Sequence, residues 1–167
     1  MKNTTEWLAN YFETTERYIN EMMRDEKATS FLLIWPIFEQ TVFGGFCQSK
    51  KLKLYAGKLE PYIDELDIDS MMLHFHNRYQ NKNHYHHLCH QDKNVAISNM
   101  LKSSVTQLSD EDKIYFLLYV VYRYRNNIFH GNKGIKSWSH YTKEINYCMG
   151  FMMNVIDCYK TNIDSQE

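Results

Sequence analysis

The residues best suited to chemistry lie in one stretch, Tyr122-Arg123-Tyr124-Arg125-Asn126-Asn127-Ile128-Phe129-His130-Gly131. At helical pitch Tyr122, Asn126 and His130 recur every fourth residue and form one stripe, with Arg125 about 140° around the axis from His130. The long arginine side chain can swing toward the same pocket if the last turn loosens before Gly131. An imidazole titrates near neutral pH and can give or take a proton. A guanidinium offers a planar fork of donors that matches phosphate oxygens and stabilises charge growing on phosphorus. No carboxylate cluster neighbours the stretch, so the chemistry is not that of a two-metal nuclease. What remains is metal-free phosphodiester cleavage, in which an RNA 2′-hydroxyl attacks its own phosphate. An Arg and a His near a helix C-terminus also serve simply by interacting with its dipole, and spacing alone favours that plainer role.

The elements that must position these residues can be read in turn. Ser109-Asp110-Glu111-Asp112 is a helix start, with Ser109 as cap and acids at the positive end of the dipole. The apolar run Ile114 to Val121 then carries the polar stretch to one end of a core, and Gly131 stops the helix. A last helix is predicted from about Tyr141 to Ile163, with a buried stripe of Tyr141, Ile145, Cys148, Met152, Ile156 and Tyr159.

Upstream, residues 3 to 27 read as one amphipathic helix, followed by a polar break from Asp25 to Ser30. Phe31 to Phe43 is apolar nearly all round and should be central. Pro36 is expected to kink it or mark a fresh start, and Gly44-Gly45 to end it. Trp35 and Phe38 read as core. Glu39 is the acid in that run: it either faces solvent at the helix end or points into a polar site where a cation or histidine meets it. Lys50, Lys51, Lys53 and Lys58 form a basic cluster, by default a solvated face and otherwise a place for phosphates. Pro61 breaks or starts a helix. Six of the eight histidines fall between His74 and His90, amid Asn and Gln, and this reads as a solvated polar loop. His86 and His90 are spaced to share a metal ion on a helix, but Leu88 and Cys89 stand in the interval and no zinc-protease glutamate does. The His and Tyr rings here could also stack on RNA bases. A short helix is predicted over residues 93 to 105.

Composition sets the frame. At 167 residues, 44% hydrophobic and 23% charged, the chain is read as a single domain spanning 1–167, with an ordinary globular core. Two prolines and six glycines leave little punctuation for short strands and hairpins, which favours an all-α fold. A net charge of −1 gives no general attraction for nucleic acid, so any polyanion must be held by a local patch. The apolar runs fall short of a bilayer span and the N-terminus lacks a signal-type stretch, so a cytoplasmic protein with no membrane association is expected. Cys47, Cys89, Cys148 and Cys158 lack paired ligand spacing and read as reduced, half-buried thiols.

Arg125-Asn126-Asn127-Ile128-Phe129-His130-Gly131 resembles the Arg-x4-6-His signature of the HEPN superfamily in its Arg-Asn-x-x-x-His form. Trp35-Pro36-Ile37-Phe38-Glu39 resembles the aromatic-plus-acid stretch of that family's second helix. The resemblance implies an up-and-down helical bundle, with residues 47 to 105 as an inserted His-rich elaboration. It implies a homodimer whose Arg125–His130 motifs face each other across a two-fold axis. It further implies a metal-independent endoribonuclease without cofactor, acting on RNA and leaving 2′,3′-cyclic phosphate and 5′-hydroxyl ends. Its setting would be toxin–antitoxin or anti-phage defence, with an antitoxin or defence protein as possible partner. On that basis His130 is the general acid/base, Arg125 holds the phosphate, Asn126 orients them and Glu39 is an acidic partner. Tyr122, Asn127, Lys133 and Lys136 are the expected RNA contacts. Lys133 stands where one subgroup carries a tyrosine modified with AMP, which argues against that form of control. A non-catalytic module binding RNA, nucleotide or a protein is the alternative.

Overall fold

A computed structural model describes residues 3–90, 94–129 and 141–163, with the backbone alone at Ala28 and Phe129. Among these residues every regular element is helical, so the fold is all-α. The first expected helix is two: α1 (Thr4–Tyr11), capped by Asn3, and α2 (Glu16–Met23), capped by Thr15. Thr15 presents its hydroxyl to the Tyr18 N–H at 3.2 Å, and Glu13 just before it adopts a positive φ of 49°. A good cap at Thr15 thus wins over continuation through two threonines.

α3 (Glu26–Phe43) starts from Asp25, whose side chain accepts from Lys27 N. The polar stretch after Asp25 is therefore its first turn and not a break. The helix also continues through Pro36, which therefore marks no fresh start. Proline removes the bond to the carbonyl four residues back, but Pro36 and Leu32 both face outward, where water can take that carbonyl. Gly44 ends α3 in the left-handed conformation, φ 65°, a geometry that costs glycine nothing.

A 3-10 turn at Ser49–Lys51 leads into α4 (Leu52–Leu59), and the turn Glu60–Tyr62, which takes up Pro61, leads into α5 (Ile63–Leu66). Then come α6 (Asp69–Tyr79), α7 (Lys82–Cys89), α8 (Val95–Met100), α9 (Asp110–Phe129) and α10 (Thr142–Asn162). The most extensive packing joins α3 to α10 and α4 to α9. Leu52, Ala56 and Leu59 of α4 and Met71, Met72 and Phe75 of α6 belong to the same apolar core as Phe31, Trp35 and Phe38 of α3.

Residues 47 to 105 contribute to that same core. One expectation is corrected. The histidine-rich stretch is not a polar loop but two helices, because Met71, Met72, Phe75 and Tyr79 give α6 a buried stripe. His76 lies inside, 5% exposed. Its Nε2 reaches the Met100 and Ser103 carbonyls at 3.3 and 3.0 Å, so that nitrogen carries the proton and donates. The expected start of α9 and most of the α10 stripe agree with the structure, while Tyr141 is only half-buried and precedes α10, and the expected stop at Gly131 lies outside the described residues. Ser109 accepts from Asp112 N at 3.2 Å, and α10 buries Ile145, Cys148, Met152, Ile156 and Tyr159. All four cysteines are free and fully buried. No helix among the described residues is long and apolar enough to cross a membrane.

Candidate functional site

The polar stretch of α9 does not form one constellation, because a helix turns its side chains outward in different directions. Arg125 points to α3. Its guanidinium carbon lies 5.5 Å from the centre of the Trp35 ring, a cation–π distance. Arg125 Nη1 donates to Asn126 Oδ1 at 3.0 Å, so the structure brings these two expected residues together.

Trp35 is in turn held by Glu39, one helical turn on. Trp35 Nε1 donates to Glu39 Oε2 at 3.1 Å, and the Cys47 backbone N–H donates to Glu39 Oε1 at 2.8 Å. Among the described residues, the groups that meet Glu39 are an indole and a backbone amide. Both of its oxygens serve to fasten the indole beneath Arg125 and to tie the chain after Gly45 back to α3. The charges of Glu39 and Arg125 both reach Cys47. Burial pushes the Cys47 thiol up to about 12, the Glu39 carboxylate adds to the rise, and Arg125 acts against it. Cys47 stays protonated and is no nucleophile.

Asn127 and Arg123, a turn apart on α9, face α7. Asn127 Nδ2 donates to the His87 and Leu88 carbonyls at 3.3 and 3.2 Å. Arg123 Nε donates to the Leu88 carbonyl at 3.0 Å, and its Nη2 to that of Cys89 at 2.9 Å. Together they satisfy the orphan carbonyls that end α7. Asn127 is 1% exposed, so its place is in this clamp and not on an open RNA surface. Tyr122 is half-buried against the core. His130, Lys133 and Lys136 lie outside the described residues.

A third face of α9 carries Tyr124 into a polar cluster that the sequence did not reveal. Its hydroxyl accepts from Tyr79 at 3.3 Å, and its ring meets Phe75 and Tyr141. Beside it Glu144 of α10, 5% exposed, accepts from Arg78 Nη1 at 3.0 Å and His74 Nε2 at 3.3 Å. Burial holds the His74 imidazole below its ordinary pKa, with Glu144 pulling it back up. The Tyr124 hydroxyl is pushed up by burial. The signal was faint: His74 and Arg78 lie four residues apart in a stretch read as a polar loop, and their acid lies some 70 residues on. Among the described residues, no group of three His, Cys, Asp or Glu is placed to hold a metal ion. Comparisons with family models, curated proteins and solved structures found no match.

Proposed function

We propose that the chain is a metal-independent endoribonuclease of the HEPN kind. The observation that carries this reading is the seat of Arg125. Its guanidinium sits over the Trp35 ring near the end of α9, with the amide of Asn126 attached to it. A planar cation set on a ring and held by hydrogen bonds loses little side-chain freedom when its donors close on a phosphate. The ring belongs to the Trp35–Glu39 stretch, so the two segments that carry the HEPN resemblance meet in space. In this reading Arg125 grips the non-bridging oxygens, and His130 moves protons between the 2′-hydroxyl, the leaving 5′-oxygen and solvent. The 2′-oxygen forms a bond to phosphorus as the 5′-oxygen leaves, giving a cyclic phosphate and a 5′-hydroxyl. Glu39 acts as a positioning residue through Trp35. Lys133 and Lys136 are the RNA contacts, and a second copy of the chain completes the site as a homodimer. A cytoplasmic role in defence, under an antitoxin or another defence protein, follows the same resemblance.

The test is incubation of the purified chain with total RNA in excess chelator, beside His130→Ala and Arg125→Ala. Cleavage that survives chelator and is lost in both variants supports the reading. RNA that stays intact with the parent protein overturns it in favour of a non-catalytic binding module.

A further inference from the structure

We infer that the groove between α7 and α8 binds a small organic anion with an aromatic body, its acid group held by Lys82 and Lys102. The inference stands apart from the nuclease reading, because none of its residues belongs to the Arg125 seat. The groove encloses about 580 Å³. That is within the range of about 300–1,000 Å³ typical of small-molecule sites. Its walls are two helical stripes: Lys82, Tyr85, His86 and Cys89 recur along α7, while Val95, Ser98 and Lys102 follow the line of α8.

Three features select the ligand. The lining is mostly apolar and includes the rings of Tyr85 and His86, which suit a flat, poorly hydrated body. Lys82 and Lys102 both line it, and neither has a carboxylate partner among the described residues. Lys102 Nζ instead donates to Asn99 Oδ1 at 3.2 Å, which leaves its charge unneutralised at the edge of the groove. No Asp or Glu occurs among the described lining residues, in a chain whose net charge is −1. Two lysines on the described lining, in a protein of near-neutral charge, are a local feature that suits an anion and not a consequence of overall charge. The two imidazoles that line the groove, His86 and His90, have no third donor for a metal among the described residues.

The walls are also fixed in advance. The Tyr85 hydroxyl donates to the Asn94 carbonyl at 3.1 Å, and Asn94 Nδ2 donates to the Tyr115 hydroxyl of α9 at 2.9 Å. The far end of α7 is clamped by Arg123 and Asn127. A groove already ordered by such bonds loses little entropy when it is filled.

Isothermal titration of the full chain with 1-naphthyl phosphate, 1-naphthol and inorganic phosphate tests the inference. Saturable binding of naphthyl phosphate is expected, with each half-molecule at least about tenfold weaker. The double variant Lys82→Glu/Lys102→Glu should weaken it by about tenfold or more, and Ser98→Trp should fill the groove and abolish it. The lysines are solvent-exposed, so circular dichroism of the double variant should match the parent. No saturable binding, equal binding of naphthol, or indifference to both variants would each overturn the inference.

Discussion

Glu39 offers the sharpest test of how the Arg125 seat is built. Trp35 and Cys47, the two residues that donate to it, are each 4% exposed, so neither stranded N–H could turn to water. Replacing Glu39 by Ala leaves both donors unsatisfied, at about 1–3 kcal/mol each, and the expected loss is about 2–6 kcal/mol. For a domain of this size, at about 2–4 °C per kcal/mol, that lowers Tm by about 4–24 °C. Glu39→Gln keeps one acceptor oxygen but turns an amide NH2 toward the other donor, so about 1–3 kcal/mol should be lost. Urea unfolding of the parent and both variants, with the slope held common, measures this. The charge supplies a second readout. The Glu39→Gln change removes one of the two influences that raise the Cys47 thiol, so its pKa should fall below about 12, while burial keeps it above an ordinary cysteine. If both variants unfold within about 0.5 kcal/mol of the parent, the carboxylate is not fastening Trp35 and Cys47, and the account of the seat fails.

The clamp on α7 should be equally visible. Asn127→Ala strips the donors that its amide gives to two carbonyls and should cost about 1–3 kcal/mol, with hydrogen exchange at the α7 amides accelerating before that of α9. In the second cluster, Glu144→Leu strands Arg78 and His74 and should cost about 1–3 kcal/mol, discounted because Arg78 is partly solvated; Arg78→Met/Glu144→Leu should recover most of it in the same unfolding assay. His74 has a depressed folded pKa, so the unfolded chain takes up its proton first on acidification. Its contribution is whole above the ordinary histidine value of about 6.5 and is lost as pH falls through the lower folded value. The slope of unfolding free energy against pH below neutrality should flatten in His74→Gln, with Glu144, Arg78 and Lys143 as the charges around it. On the proposed ribonuclease reading, Arg125→Lys keeps the charge but not the planar fork, and RNA cleavage, read by gel, should fall about a hundredfold.

The all-α fold was legible because few residues break helices and because caps such as Ser109 and Gly44 stand where elements start or stop. What misled was polarity taken as exposure. The histidines from His74 on, with Asn77, Gln80, Asn81 and Asn83 among them, gave the stretch before residue 90 the look of a loop, yet its first helix also carries Met71, Met72, Phe75 and Tyr79 inward. A buried histidine that donates to carbonyls, as His76 does, leaves no mark in composition. Pro36 was not decisive in the sequence either, since its cost depends on whether the bond it removes faces water or core. That is a property of the packing, and one sequence does not state it.

The motif itself shows why spacing on a single helix underdetermines a site. Arg123, Tyr124, Arg125 and Asn127 are neighbours in the chain, and each increment of about 100° sends the next one elsewhere. Arg123 and Asn127, four apart, share the face that closes α7. Tyr124 enters the Tyr79–Glu144 side of the core, and Arg125 turns to Trp35. Three of these four polar residues are thereby assigned to holding helices together, and Arg125 is the one set against an aromatic face with Asn126 beside it. The structural work of its neighbours bears on that role. Anchored through α7 on one side and α6 on another, the end of α9 is fixed in rotation, so Arg125 has one direction in which to present its donors. On the proposed ribonuclease reading, a substitution at Asn127 should therefore reduce cleavage without touching any ligand, and that loss should track the loosening of α7 measured by exchange.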